Sequence, residues 1–208
     1  NEIGQVPGLA VVLVGHDPAS EIYVRNKEKA CAEVGMTSKK IELSENISEE
    51  ELLSVIDSLN ADRTIHGILI QLPLPAHINK DTVIDRIATE KDVDIFKTDS
   101  MGKLFEGVHC IAPCTPSGIM ALLDEYNVDL EGKHCVVIGR SNIVGKPIAM
   151  MLMQRNATVT ICHSKTKDLE KFCKMADVIV CAVGKTDLVT DNMVKDGVVI
   201  IDVGINRN

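Results

Sequence analysis

The sequence predicts an α/β protein made of two parallel-sheet domains, and three observations carry the prediction. Apolar runs of strand length alternate with helical patterns from one end of the 208-residue chain to the other, as parallel strands joined by crossover helices require. An irregular stretch, Glu90 to Pro113, interrupts that alternation. Beyond it, a strand runs into a glycine turn and then a helix, which marks the second domain as a Rossmann-type dinucleotide-binding fold. The expected boundaries are 1–114 for a substrate and catalytic domain and 115–208 for a dinucleotide-binding domain.

Seven strands are expected: Leu9–Val14, Lys39–Leu43, Gly67–Leu72, His134–Gly139, Thr158–Cys162, Val178–Ala182 and Val198–Val203. Asp17 supplies an N-cap, Pro18 a first-turn proline and Gly35 a C′ residue for a helix between the first two. On that helix Tyr23, Val24, Lys27, Ala30, Cys31 and Val34 share one face at 3.6-residue periodicity. Thr115 and Pro116 offer a cap and first position for a connecting helix, Ser117–Tyr126. No internal repeat and no low-complexity segment appears.

Composition narrows the function. With 45% apolar residues, the chain has enough material for one large core or two modest ones. A formal net charge of −8 without lysine or arginine blocks argues against nucleic acid or anionic membranes as partners. No apolar run reaches the roughly 18 residues of a membrane span, and the first residues lack signal-peptide character. The seven cysteines are an odd number, and Cys135, Cys162 and Cys181 lie in apolar segments, a pattern of reduced core thiols in a cytoplasmic protein. Cys110 and Cys114 form no tetrahedral set with other nearby ligands, so no metal site is expected.

In the second half, Gly139 allows a sharp turn after its strand and Gly145 allows close helix–strand packing. The helix that follows offers N-terminal amides to a pyrophosphate. Ser141 replaces the usual middle glycine. About 20 residues further on, an NAD enzyme places an acid against the ribose hydroxyl; here the sequence reads His163-Ser164-Lys165. Ser164 with Arg140 or Lys165 suits a 2′-phosphate instead, which favours NADP.

In the first half, Lys27 sits in the apolar stripe of its helix. A lysine so placed finds a partner, snorkels to water, or titrates as a base. Tyr23, one turn earlier, either packs in the core or faces a planar ligand. Gln71, at the polar end of an apolar strand closed off by Pro73 and Pro75, either orients Lys27 or caps loop amides. Asp92 and Asp94 follow in a loop where turn capping and a solvated face are equally admissible.

Together, Tyr23-Val24-Arg25-Asn26-Lys27, Gln71-Leu72-Pro73-Leu74-Pro75, Lys91-Asp92-Val93-Asp94, Pro113-Cys114-Thr115-Pro116, Gly139–Gly145 and Asp202-Val203-Gly204-Ile205-Asn206 closely resemble the bifunctional methylenetetrahydrofolate dehydrogenase/methenyltetrahydrofolate cyclohydrolase family. The resemblance covers nearly the whole chain. It implies NADP-dependent oxidation of 5,10-methylenetetrahydrofolate, hydrolysis of the product to 10-formyltetrahydrofolate, and a homodimer. By the same resemblance Lys27 is the central catalytic lysine, Tyr23 packs against the folate ring, Gln71 orients the lysine, Leu72 and Pro73 line the substrate, and Asp94 hydrogen-bonds the pterin. Gly139, Arg140, Ser141, Ser164 and Ile205 line the NADP site. The chain departs from the family pattern at Ile95, where relatives usually carry glycine, and in lacking an N-terminal helical segment and a C-terminal Pro-Gly-Gly loop with its final helix. Those departures favour a competing reading, a non-catalytic folate- or dinucleotide-binding remnant; the intact Tyr23, Lys27, Gln71 and Asp94 set opposes it. A Rossmann dehydrogenase acting on a keto or amino acid leaves the Gln71 proline segment unexplained.

Overall fold

A computed structural model describes residues 4–108 and 111–204. The chain divides into two compact units, Asn1–Ser100 and Met101–Asn208. The first contains β1 (Gly8–Val14), α1 (Pro18–Glu33), β2 (Thr37–Leu43), α2 (Glu49–Ala61), β3 (Gly67–Ile70) and α3 (Lys80–Arg86), then a 3-10 turn at Thr89–Lys91. α4 (Thr98–Phe105) crosses the division; α5 (Cys114–Glu125), β4 (His134–Ile138), α6 (Gly145–Gln154), β5 (Thr158–Cys162), α7 (Leu169–Met175), β6 (Val178–Cys181) and β7 (Val199–Asp202) follow in the second unit, with a 3-10 turn at Asp191–Met193.

Both sheets are parallel throughout, with orders β2-β1-β3 and β5-β4-β6-β7. In each, the chain winds to one side of the unit's first strand and then to the other. The carboxyl ends of β1 and β4 are therefore topological switch points, where open α/β sheets bind ligands. Strand alternation divides the apolar residues between two faces. Ala10, Val12 and Val14 pack with Leu52, Ile56 and Leu59 of α2, while Val11 and Leu13 pack with Val24 of α1. In the second unit Cys135 and Val137 face Ile148 and Leu152 of α6, and Val136 and Ile138 face Cys173 of α7.

Local signals set the helix ends. Asp17 caps α1 by accepting the Ser20 amide at 2.8 Å, and Gly35, at φ +74°, turns the chain out of it. Ser48 and Glu51 form a capping box on α2, and the Asn79 side chain accepts two amides at the start of α3.

Four expectations need correction. β3 stops at Ile70, so Gln71 lies past the strand, although its amide still donates to the Val12 carbonyl at 2.9 Å. α5 begins at Cys114 rather than Ser117, with Pro113 in the cap position; Pro116 falls in the first turn, where a missing N–H leaves no intrahelical bond unmade. The stretch expected to be irregular contains α4, which the exposed Gly102 and the polar Thr98 and Asp99 concealed. On α1 only Val24 and Cys31 of the apolar stripe are buried, one above the other two turns apart; Tyr23 is 49% exposed and Val34 71%. The small sheet covers a narrower strip than the stripe is wide.

Candidate active site

The first unit brings residues from three separated segments together at the carboxyl edge of its sheet. α1 leaves the switch point and carries Lys27 half-buried; Gln71 emerges from the adjacent β3. The Lys27 ammonium donates to Gln71 Oε1 at 3.1 Å, so the lysine has a protein partner. Gln71 Nε2 donates to the Leu72 carbonyl at 2.9 Å. That bond fixes the amide orientation, because an amide with its nitrogen committed to a carbonyl presents only its oxygen to the ammonium. The buried Ser20 hydroxyl donates to Asp17 Oδ2 at 2.7 Å and lies 3.4 Å from the Leu72 carbonyl. Leu72–Pro73 is a cis peptide.

Asp94 completes the set. Burial pushes its carboxyl above the ordinary value; Lys27 opposes the rise and Asp92 adds to it. Its loop adds one bridge to the sheet, Asp92 beside Ile68. Asp92 is 3% exposed and accepts the amides of Phe96 at 3.3 Å and Lys97 at 3.0 Å, so of the two readings for this residue turn capping is the one observed. Ile95 holds φ +57°, a left-handed conformation that β-branched residues avoid. The half-exposed Tyr23 ring on α1 is available to a ligand, not packed in the core.

In the second unit, the register pairs Ile138 with Cys162 and the Gly139 amide donates to the Cys162 carbonyl at 2.8 Å. The glycine turn and the His163–Lys165 segment thus leave neighbouring strands at the same edge. Both glycines are needed for space: a Cβ on Gly139, at φ +124°, would lie 2.5 Å from the Ala182 carbonyl oxygen, and one on Gly145 would lie 2.4 Å from the Gly139 carbonyl oxygen. The expected amide donors of α6 are largely engaged. Ser141 Oγ accepts the amides of Val144 and Gly145, each at 3.2 Å, and the Ser141 carbonyl accepts that of Lys146 at 3.0 Å. Among the described residues the amides of 140–143 have no such partner, so the turn, rather than the first helical turn, offers donors to a pyrophosphate. Arg140, Ser141 and Ser164 are exposed, and the cradle fits a dinucleotide. Ile205, Asn206 and Cys110 lie outside the described residues.

Among the described residues Cys31, Cys135, Cys162, Cys173 and Cys181 are free and buried, and Cys114 is exposed. Burial pushes the Cys135 thiol up to about 11 and raises those of Cys162, Cys173 and Cys181 as well, so these thiols are inert. Among the described residues no helix is long and apolar enough to cross a membrane.

Two lysines carry contacts that the sequence reading did not anticipate, Lys91, quoted there only within a motif, and Lys97. Lys91 is 9% exposed and donates to three backbone carbonyls, and Lys97 donates to two. A lysine between a short helix and a polar loop looks solvated in sequence, and its carbonyl partners carry no side-chain signal.

Two doubly wound sheets, one with a lysine–glutamine–aspartate cluster at its switch point and one with a glycine cradle, define a two-domain dinucleotide-dependent α/β enzyme. Family models agree with this division: residues 1–94 match the catalytic domain, and residues 113–208 the NAD(P)-binding domain, of tetrahydrofolate dehydrogenase/cyclohydrolase. The chain belongs to that family. It is 58% identical over 205 residues to the bifunctional protein FolD of Streptococcus pyogenes, covering 99% of this chain and 72% of the relative. The bifunctional FolD crystal structure from Campylobacter jejuni superposes with a TM-score of 0.97 at 50% identity, covering all of this chain and 74% of that one. The Trypanosoma brucei enzyme, complexed with NADP cofactor and inhibitor, gives a TM-score of 0.92 at 38% identity, with coverage of 98% and 70%.

Proposed function

We propose that this chain oxidises 5,10-methylenetetrahydrofolate to 5,10-methenyltetrahydrofolate and then hydrolyses that product to 10-formyltetrahydrofolate. The observation that carries the reading is the oriented Lys27–Gln71 pair, with Asp94 in its field, at the switch point of the first sheet. Residues 1–114 hold the folate and 115–208 the dinucleotide.

In the first step a hydride leaves the methylene carbon between two folate nitrogens, whose lone pairs stabilise the resulting cation; NADP supplies the hydride acceptor when bound. No strong base is needed, so the chain's contribution is placement. Tyr23 packs against the folate ring, Leu72 and Pro73 line the pocket, and Asp94 hydrogen-bonds the pterin. Gly139, Arg140, Ser141, Ser164 and Ile205 line the cofactor site, with Arg140 and Ser164 favouring the 2′-phosphate. In the second step water adds to the methenyl carbon and a C–N bond breaks. Lys27, held by Gln71 and acting as the neutral amine, takes one proton from the attacking water and passes it to the departing nitrogen, while the hydroxyl proton of the adduct leaves to solvent as the formyl carbonyl forms, so one proton is released overall.

The protein acts as a cytoplasmic homodimer; the buried free thiols support a reducing compartment. The function is tested by following NADPH and methenyltetrahydrofolate absorbance with methylenetetrahydrofolate and either NADP or NAD. NADP-dependent turnover with loss of the methenyl signal is expected; no turnover, or equal efficiency with NAD, contradicts the reading.

A further inference from the structure

The loop that carries Asp94 is anchored far more heavily than a solvated turn requires. At one end, Lys91 directs all three ammonium protons to carbonyls, those of Leu59 at 2.9 Å, Asn60 at 2.8 Å and Asp62 at 2.8 Å. These lie at the end of α2, where carbonyls lack intrahelical partners and the helix dipole is negative. At the other end, Lys97 donates to the carbonyls of Asp85 and Ile87 at the end of α3. The Asn60 side chain ties the two helix ends together, donating to the Arg86 carbonyl at 2.8 Å and accepting the Ala88 amide at 2.9 Å.

Between the lysines, the buried Asp92 closes the turn on the amides of Phe96 and Lys97. Val93 fills the space above Gly67, where a Cβ would meet its Cγ1 at 2.5 Å. Ile95, 3% exposed, is held at φ +57°, and such a conformation persists only where its surroundings over-determine it. Asp94 differs from its neighbours: no hydrogen bond to another described residue holds its carboxylate. Its direction is therefore set by the backbone that the anchors fix.

We propose that Lys91 and Lys97 are positioning residues of the active site, which pin the left-handed turn at Ile95 to the ends of α2 and α3 and so aim Asp94 at the pterin. The proposal rests on the reading of Asp94 as the pterin-binding group.

The test uses the full-length enzyme with Lys91→Met, Lys97→Met and Asp94→Ala, singly and as lysine–aspartate doubles, each checked for a folded melt before kinetics. Each lysine variant should raise KM for methylenetetrahydrofolate about tenfold, the loss expected of one charge-assisted bond to substrate, and leave KM for NADP unchanged. In the Asp94→Ala background the same lysine substitution should add about twofold or less, because its effect passes through a carboxylate already removed. Full multiplication of the two effects, or an unchanged folate KM in both folded lysine variants, overturns the proposal. If Lys91→Met does not fold, the half-buried Lys97 decides alone. An Asp94→Ala single variant with normal folate KM overturns the pterin assignment itself, and with it the role given to the lysines.

Discussion

In the first unit the groups assigned to chemistry are side chains drawn from three places in the sequence, Lys27, Gln71 and Asp94, half-buried and braced by bonds to Leu72 and by the Asp92 turn. In the second, the groups assigned to recognition belong largely to the backbone: a turn with open amides at 140–143, kept narrow by Gly139 and Gly145, with exposed Arg140, Ser141 and Ser164 beside it. The difference follows from what each ligand demands. Proton transfer needs a titratable atom held in place by neighbours, whereas a pyrophosphate needs several N–H groups converging on it, here from a turn whose tight path leaves no room for a Cβ at Gly139 or Gly145. A side-chain site should fail chemically when one atom changes; a backbone site should fail sterically.

The largest effect is expected from Lys27→Met, which removes the proton carrier while keeping the stem. Methenyltetrahydrofolate hydrolysis should fall by about 100-fold or more, with NADP affinity unchanged; a wild-type hydrolysis rate would reject Lys27 as the proton carrier. Gly145→Ala should act on the other site by crowding the Gly139 carbonyl, costing about 1–3 kcal/mol in a denaturant melt and weakening NADP while sparing tetrahydrofolate. An unperturbed melt would show that the turn yields without cost. Ser141→Ala removes the acceptor of two amides at the entry to α6, an effect of about 1 kcal/mol on stability, read from the same melt.

The smallest effect has the opposite sign. Because burial raises the Asp94 carboxyl above its ordinary value, the folded protein binds that proton more tightly than the unfolded chain. Stability contributed by this group therefore declines as pH rises from the unfolded value toward the higher folded one, and stays low above it. Asp94→Asn should raise Tm slightly at pH 7, with the gain disappearing below about pH 4. A lowered Tm at pH 7 would show that attraction to Lys27 outweighs desolvation.

The two sites were unequally legible in sequence. The glycine cradle could be read because strand, turn and helix are contiguous from His134 to Gln154. Even so, Ser141 engages the amides of Val144 and Gly145, and that the open ones lie at 140–143 follows from the path of the turn, which no sequence pattern states. The strands β1, β3, β4 and β6 were legible because the apolar runs of buried parallel strands are nearly continuous; the edge strand β2 carries only the weaker alternation of Ile41 and Leu43 with polar residues. Lys27 and Gln71 stand out individually, one a charge in an apolar stripe and the other an amide at a strand end, yet their pairing follows from β3 lying beside β1, which local pattern does not encode. The anchors Lys91 and Lys97 were hidden because backbone carbonyls partner them.

The division of labour between the units is tested most directly by calorimetric titration of tetrahydrofolate and of NADP, separately, into the wild type, Tyr23→Ala and Arg140→Ala, two exposed positions whose loss leaves the cores intact. The account predicts crosswise behaviour: Tyr23→Ala weakens tetrahydrofolate about tenfold with NADP unchanged, and Arg140→Ala weakens NADP about tenfold with tetrahydrofolate unchanged. Either variant weakening both ligands equally, or neither ligand responding, would contradict it.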